Sequence, residues 1–220
     1  MANRRTRITS TQALIHFFGW LPFVVTLIQV MTGNMTANPI QAVEQRFGRV
    51  AIYFLIASLA CTPIVTLTGW REPIKRRRAL GLYAFMYAAL HFTVFVGIDY
   101  GFDLQQVARL TTEKPFILLG MTAGVILLAL AITSFKWWMR QMGKGWQNLH
   151  RTIYLGGVIV VIHYALARKA NISTVSGDII QPLVIGFLLF TLLILRIPAI
   201  RRLASNFRQK VNASRMFYSR

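Results

Sequence analysis

Residues 115–135 read PFILLGMTAGVILLALAITSF, a stretch of 21 positions without a charged side chain. An α-helix of roughly 20 apolar residues crosses a hydrocarbon core of about 30 Å. The stretch is therefore predicted to span a membrane as a helix. Lys114 precedes it and Lys136 follows it, as is typical of the ends of a span.

Five further apolar runs have a similar length, and only 14% of the 220 residues are charged, against about a quarter in soluble domains. The chain is therefore predicted to be an all-α integral membrane bundle of about six transmembrane helices. The predicted spans are 13–31, 50–67, 80–98, 115–135, 149–167 and 179–197. We expect one transmembrane domain over residues 1–220. The first run lacks a small-residue cleavage site and is expected to be retained. No internal repeat is evident in the sequence.

The basic residues indicate how the bundle is oriented. Nineteen of the 25 lysines and arginines lie before the first span, in the second and fourth loops, or in the C-terminal tail. The positive-inside rule therefore predicts that both termini are cytoplasmic. Orientation explains the net charge of +19 better than a nucleic-acid-binding face does, because the charges recur at alternate ends of apolar runs. A predicted aromatic belt at the same boundary consists of Trp70, Trp137, Trp138 and Trp146.

The four histidines are the candidate functional residues: His16, His91, His150 and His163. An ionisable side chain within a span is costly and marks a functional site, although an interhelical hydrogen bond is the alternative for any single histidine. His91 lies roughly 16 Å and His163 roughly 21 Å from the cytoplasmic ends of their spans, at about 1.5 Å per residue. The pair is therefore predicted to face each other and to ligate a haem iron. The chain has one cysteine, Cys61, so haem is not attached through a CxxCH motif.

His150 indicates a second candidate haem site, at a depth near the cytoplasmic face of the membrane. It precedes His163 by 13 residues, which is about 140° around an ideal helix. At the same depth the third span carries Arg78, so a second haem at His150 has no evident sixth ligand. His16 is the remaining imidazole and is a candidate for that haem or for a quinone site. The arginines that are candidates to pair with haem propionates or lipid headgroups are Arg77, Arg78, Arg151 and Arg168.

Several motifs resemble one family. Residues 143–164 contain GKGWQ, then LH at 149–150, YL at 154–155 and IHY at 162–164. This order resembles the GK-x-WQ-x-LH…YL…IHY stretch of the MsrQ (YedZ) family, the haem-binding membrane subunits of periplasmic methionine sulfoxide reductase systems. The resemblance continues in RRALGL at 77–82 with LH at 90–91, in His16, Gly19 and LPF at 21–23, in GR at 48–49 and in TP at 62–63.

The resemblance implies a ferric-reductase-like transmembrane domain that carries haem b, one or two groups, and is described with FMN as well. It implies that His91, His150 and His163 are haem ligands. It also implies electron transfer from the quinone pool, or from a cytosolic flavin reductase, across the bacterial inner membrane. The acceptor would be a periplasmic molybdopterin enzyme that reduces methionine sulfoxide in oxidised envelope proteins. Related oxidases carry two histidines on each of two helices, whereas the third span here carries one.

The motifs that the sequence lacks agree with an electron conduit. No Gly-rich dinucleotide fingerprint occurs, so reducing equivalents are expected from another molecule. We expect electrons to leave near the periplasmic ends of the third and fifth spans, with a partner docked on loops 32–45 and 99–114. Two alternatives stay open at this point, namely a stand-alone ferric or quinone reductase and a proton-coupled transporter that uses the histidines as a relay.

Overall fold

The computed structural model describes residues 9–168 and 179–218, with side chains up to residue 209. Within these ranges the chain is helical and contains no strand, which confirms the predicted all-α class. Several charged residues used for the predicted orientation lie outside the described residues or side chains: Arg4, Arg5, Arg7, Lys169, Asp178, Lys210, Arg215 and Arg220.

The described residues form ten α-helices. They are α1 (Ser10–Met31), α2 (Pro39–Thr68), α3 (Glu72–Thr93), α4 (Leu104–Glu113), α5 (Pro115–Ile132), α6 (Lys136–Met142), α7 (Lys144–Arg151), α8 (Ile153–Ala167), α9 (Ile180–Ile194) and α10 (Pro198–Tyr218). A π-helical turn, Val94–Asp99, extends α3.

The number of spans agrees with the prediction. Five segments are long and apolar enough to cross a membrane: α1, α2, α3 with its π-helical turn, α5, and α7 together with α8. A sixth candidate is α9 followed by α10, which bends away from α9 by 79°. The prediction of about six transmembrane helices is therefore confirmed.

Two boundaries differ from the predicted ones. Helix α2 begins at Pro39 rather than at residue 50, because the Asn38 side chain accepts a hydrogen bond from the Gln41 amide and Pro39 suits the first turn. The predicted loop 99–114 contains α4, whose start is capped by the Asp103 carboxylate 2.9 Å from the Gln106 amide. Polar stretches of this kind form helices when they are capped, even where hydropathy predicts no span.

The predicted fifth span, 149–167, is two helices rather than one. Helix α7 ends at Arg151 and α8 begins at Ile153, and the Thr152 amide donates to the Leu149 carbonyl at 3.0 Å, three residues back. This tighter turn alters the rotation between the two helices. The angle of about 140° expected between His150 and His163 on one ideal helix therefore does not apply.

Two antiparallel hairpins make up the centre of the bundle. The first consists of α2 and α3, and the second of α5 with α8. Their apolar faces meet in a buried cluster formed by Leu55, Leu59, Ala84, Leu127 and Leu189, the last of these from α9. The hairpins therefore enclose the space that contains His91 and His163, called the central pair below.

A tyrosine attaches α1 to the first hairpin beside Pro22. The fully buried Tyr87 hydroxyl donates to the Gly19 carbonyl at 2.6 Å and accepts from the Phe23 amide at 3.1 Å. These two backbone groups are four residues apart and would otherwise pair with each other in a regular helix. Tyr87 thus provides partners for two backbone groups next to Pro22.

The basic segments lie together at one end of the bundle. The Arg76 guanidinium reaches Thr9 and Gln12 at the start of α1, at 2.6 Å and 3.3 Å. In α10, Arg208 donates to the carbonyls of Val65 and Thr66 near the end of α2, each at 2.9 Å. The Arg78 guanidinium lies 5.5 Å from the centre of the Phe135 ring, beyond α5. This end of the bundle, called the basic end below, thus brings the start of α1, the α2–α3 and α5–α6 connections and α10 together.

Candidate functional site

A cavity of about 600 Å³ lies between the two hairpins, in the half of the bundle away from the basic end. Its walls come from α2, α3, α5 and α8 and are largely apolar, with Leu55, Phe85, Leu127 and Val160 among them. Pockets of a few hundred to a thousand cubic ångströms with apolar walls are typical of cofactor sites. Both His91 and His163 line this cavity.

The structure brings the two predicted partner histidines together. The ring centres of His91 and His163 are 6.2 Å apart, and the ring planes are inclined by 72°. His91 lies on α3 and His163 on α8, so each hairpin contributes one imidazole. The depth argument made from the sequence therefore placed the two side chains at the same level.

Each of these imidazoles is held by a backbone carbonyl. The Nδ1 atom of His91 is 2.9 Å from the Glu44 carbonyl oxygen, and that of His163 is 2.6 Å from the Phe116 carbonyl oxygen. A carbonyl only accepts hydrogen bonds, so Nδ1 carries the proton and donates in both rings. Nε2 is then left with a free lone pair in each neutral ring, which is the form that binds a metal.

A glycine on the neighbouring helix makes room for each ring. A Cβ atom on Gly48 would lie 3.3 Å from His91 Nδ1, and one on Gly120 would lie 2.7 Å from His163 Cε1. The second distance is shorter than side chains tolerate, so Gly120 is required for the observed ring position. The Gly48-Arg49 motif is thus part of the site, while sequence analysis gave no role to Gly120.

The two hairpins use the same plan at a constant spacing. Each hairpin contains a unit of three groups. The unit starts with a backbone carbonyl, followed by a glycine four residues later and by a histidine 47 residues after the carbonyl. Corresponding residues are 72 positions apart in the chain: Glu44 and Phe116, Gly48 and Gly120, His91 and His163. The site is therefore built from a structural repeat, which inspection of the sequence missed.

The arrangement fits a haem. Metal–imidazole bonds of about 2 Å would put the centres of two axial rings on the order of 6 Å apart, close to the observed distance. Among residues 9–168 and 179–218, no three His, Cys, Asp or Glu side chains are grouped so as to hold a metal ion by themselves. Two imidazoles suit iron whose remaining ligands come from a porphyrin.

Cationic side chains line the mouth of the cavity. Arg49, Lys114 and Arg168 are part of its wall, together with the carboxylates of Glu44 and Asp99. The Arg168 guanidinium also lies 3.4 Å from the side-chain oxygens of Gln45 and Gln181. Arg168 was a predicted contact for a propionate, while Arg49 and Lys114 were not predicted.

His150 has different surroundings from the central pair. Its Nε2 atom is 3.1 Å from the Thr133 hydroxyl oxygen, and its ring stacks on Trp146 with the centres 4.1 Å apart. The Thr133 hydroxyl donates its one proton to the Ala129 carbonyl at 2.7 Å, so Nε2 of His150 is the donor to Thr133. Nδ1 then holds the free lone pair, the reverse of the central pair. His150 does not line the cavity described above.

Trp146 has more than the predicted belt role. Its indole nitrogen donates to the Thr133 carbonyl at 2.8 Å while its ring covers His150. The spacing of four residues between Trp146 and His150 on a helix was a signal that sequence analysis overlooked. Trp70 and Trp137 are more than half exposed and agree with a belt.

His16 lies apart from the central pair on an exposed part of α1. Its Nδ1 atom is 2.8 Å from the Tyr83 hydroxyl. A pocket of about 260 Å³ beside it is lined by the basic side chains of Lys75, Arg76 and Arg78. The structure thus places His16 and Arg78 at one surface pocket rather than against His150.

The remaining predicted arginines lie at the basic end. Arg77 is half-buried and Arg151 is exposed. Sequence analysis overlooked Arg196, which donates to the Tyr154 hydroxyl at 2.7 Å and to the Leu59 carbonyl at 2.6 Å. Arg196 thereby ties the two hairpins together at this end.

Comparisons with known proteins agree with this geometry. Residues 47–162, more than half of the chain, match the ferric reductase like transmembrane component family. The chain is 39% identical to the protein-methionine-sulfoxide reductase heme-binding subunit MsrQ of Rhodospirillum rubrum, over 83% of this chain and 85% of that protein. It is 34% identical to the MsrQ subunit of Herminiimonas arsenicoxydans, over 87% and 86%, and 36% identical to that of Bordetella pertussis, over 84% and 88%. No solved structure matches the chain.

Proposed function

Because this chain belongs to the MsrQ family of haem-binding membrane subunits, we propose that it carries electrons across the bacterial inner membrane to a periplasmic methionine sulfoxide reductase. The observation that carries the proposal is the pair of facing imidazoles, His91 and His163, each with its Nε2 lone pair free. The pair lies in an apolar cavity in the half of the bundle opposite the basic end. By the positive-inside rule that half is periplasmic, and both termini are cytoplasmic.

Haem b held between these histidines supplies one-electron chemistry at the iron. The protein fixes the rings: the Glu44 and Phe116 carbonyls set the tautomer and the orientation of each imidazole. Gly48 and Gly120 let the rings lie against neighbouring helices. The apolar walls keep water away, which helps to set the reduction potential.

The cationic mouth suits the carboxylates that a haem carries. We propose that Arg168, with Arg49 and Lys114, binds the propionates of the haem held by the central pair. Because Arg168 is also within reach of Gln45 and Gln181, its guanidinium is held at the cavity mouth.

A second haem at His150 stays a proposal, and the contacts of His150 define what it requires. His150 would hold the iron either through Nδ1 or, after losing its contact with Thr133, through Nε2. Arg77, Arg78 and Arg151 lie at the same end of the bundle and would meet its propionates or lipid headgroups. His16, with its basic pocket, is the proposed quinone site or a ligand of this second haem.

We further propose that electrons enter at the basic end, from the quinone pool or from a cytosolic flavin reductase, with FMN as an intermediate carrier. They would leave through the central pair to a molybdopterin-containing reductase subunit. The proposed docking surface is formed by segments 32–45 and 99–114. Both reach the cavity mouth, where Glu44 and Tyr100 are part of the wall.

The test is the low-spin signal of an iron with two histidine ligands. We expect His91→Ala and His163→Ala each to abolish this signal in electron paramagnetic resonance and absorption spectra of the purified protein. His16→Ala should retain the signal of the His91–His163 pair, because His16 does not line the cavity that contains the pair. Retention of the signal in His91→Ala would refute the pairing, and a colourless protein from haem-replete cells would refute the conduit itself.

The acceptor is tested separately, because a stand-alone ferric or quinone reductase would share the same haem site. The reduced protein is mixed with the purified molybdopterin-containing methionine sulfoxide reductase, with ferric citrate or with a short-chain quinone. We expect fast reoxidation by the sulfoxide reductase in the presence of methionine sulfoxide. Reoxidation by ferric citrate or by quinone, but not by the sulfoxide reductase, would favour the stand-alone reductase. A proton-coupled transporter would instead move protons in vesicles without any Soret band.

A further inference from the structure

Helix α10 leaves the bundle at a sharp angle. It begins at Pro198, with three residues between it and the end of α9, and is inclined to α9 by 79°. Proline has no backbone N–H and disfavours helical conformation in the residue before it, so the chain turns here. If α9 crosses the membrane, α10 runs nearly in the membrane plane.

An arginine fixes α10 against the bundle. Nη1 of Arg208 donates to the Val65 and Thr66 carbonyls, each at 2.9 Å. The Thr66 carbonyl is among the last carbonyls of α2, which lack a partner within the helix, while the Val65 carbonyl also accepts from the Gly69 amide at 2.9 Å. A cation is favourable at this end of the helix dipole. The guanidinium also lies 3.5 Å from the position of a Cβ atom on Gly69, where α2 ends. The position of α10 along the basic end is thereby defined.

The other faces of α10 are chemically distinct. Leu203 is 71% exposed and Phe207 is 69% exposed, and the two lie one turn apart on one side. Arg201, Arg202 and Asn206 are also exposed. At about 100° per residue, Arg201 lies on the side of Arg208, Arg202 lies about 100° from Leu203, and Asn206 borders the apolar strip. The sequence 198–218 contains five basic residues and no acidic residue. An apolar strip beside a basic one is the pattern of a helix that lies in a membrane interface.

We propose that α10 is an interfacial anchor that binds anionic lipid headgroups. Leu203 and Phe207 insert among the acyl chains, while Arg201 and Arg202 meet the phosphates. The charge, the inclination of α10 and the neighbouring apolar strip favour a lipid surface over a soluble protein, because a soluble partner would not explain why the helix lies at the end of the spans. The proposal rests on the proposed membrane crossing of α9 but not on haem binding.

Depth measurements test the insertion. Cys61→Ser removes the one native thiol, and Leu203→Cys or Gln209→Cys then carries a fluorophore in the full chain, reconstituted in nanodiscs of phosphatidylcholine and phosphatidylglycerol. Gln209 is exposed and lies about 120° from Leu203 around the helix. We expect doxyl-labelled lipid to quench the label at 203 and aqueous iodide to quench the label at 209. Equal iodide quenching at both positions would overturn the proposal and leave this face to a soluble partner. The haem spectrum of each variant shows separately whether the central site is intact.

A second measurement tests the headgroup charge. Phosphatidylglycerol is added to the detergent-purified protein, and the rise in melting temperature is recorded. The double variant Arg201→Gln/Arg202→Gln should lose most of this rise. The matched control Arg140→Gln/Lys144→Gln removes two exposed charges from the same end of the bundle and should keep it. Equal losses in both variants would mean that general electrostatics rather than α10 binds the lipid, and would overturn the proposal.

Discussion

The two hairpins agree at one end of the bundle and differ at the other. At the cavity, the carbonyl, the glycine and the histidine of the first hairpin recur 72 positions later in the second. At the basic end the same spacing relates Arg78 to His150 and Cys61 to Thr133. Arg78 packs over Phe135, whereas His150 is bonded to Thr133 and covered by Trp146. A duplicated plan thus provides one matched pair of imidazoles and one unmatched histidine.

The comparison also shows why the repeat is hidden in the sequence. The acceptor for each ring is a backbone carbonyl, which Glu44 and Phe116 supply equally well. Only the glycine and the histidine depend on side-chain identity, and they are 43 positions apart within each hairpin. A repeat carried by so few positions gives no visible periodicity.

Substitution of the two glycines is the most direct way to disrupt haem binding at the matched pair of imidazoles. Overpacking a well-packed site costs about 1–3 kcal/mol, or roughly a fivefold to hundredfold loss of haem affinity. We expect Gly120→Ala to lose more haem per polypeptide than Gly48→Ala, because the added Cβ would lie 2.7 Å rather than 3.3 Å from the histidine ring. Haem is measured by the pyridine haemochrome assay.

Gly145→Ala is the control for this pair, since a Cβ there meets nothing within 4 Å. It should keep the full haem content. An equal loss in all three variants would mean that helix flexibility, rather than the space beside each imidazole, explains the glycines.

The role of the unmatched histidine at the basic end is tested by His150→Ala. The central pair does not contact His150, so its low-spin signal should stay unchanged. If a second haem is present, haem per polypeptide should fall by the share held at His150, which is at most about half. Loss of the signal of the central pair in this variant would show that the two levels are not independent.

The hairpins also differ in how they contact a further helix. Tyr87 binds α1 in the first hairpin, while the corresponding residue of the second, 72 positions later, is Ile159. Tyr87→Phe removes the hydroxyl that bridges the Gly19 carbonyl and the Phe23 amide, so we expect a loss of about 1–3 kcal/mol of stability. Thermal unfolding in detergent measures it. Tyr53→Phe, at a half-exposed tyrosine, should leave the melting temperature unchanged.

The smallest expected effect is that of Thr133→Val. It removes the hydroxyl that accepts from His150 and should cost about 1 kcal/mol in the same unfolding experiment. Thr122→Val is the matched control, because Thr122 makes the same type of bond to its own helix but has no histidine partner. A larger loss in the control would contradict the role given to the Thr133–His150 contact.

The sequence predicts the spans and the central pair for simple reasons. Long apolar runs specify spanning helices, and the depths of His91 and His163 follow from helix rise alone. Helix α4 and the first turns of α2 were not predicted, because capping by Asp103 and Asn38 makes helices from polar stretches. Hydropathy carries no information about such caps.

The details around the histidines depend on tertiary packing. The acceptor of each Nδ1 proton is a backbone oxygen of another helix. The residue types in the sequence do not show which backbone oxygen this is. The space beside Gly120 exists only once α5 and α8 are packed together. The break at Thr152 changes the direction of His150 relative to His163, and an ideal helix gives no sign of it.

The carbonyl bonds to the central histidines have an electrical consequence. Each Nδ1 proton is already donated to a backbone oxygen, and that oxygen does not take up a proton near neutral pH. In the proposed transfer, the two imidazoles would therefore not take up a proton together with the electron. Moving one charge through the full bilayer is worth about 2.3 kcal/mol for each 100 mV of membrane voltage. If electrons flow outward as proposed, with the cytoplasm negative, the membrane voltage would assist their transfer.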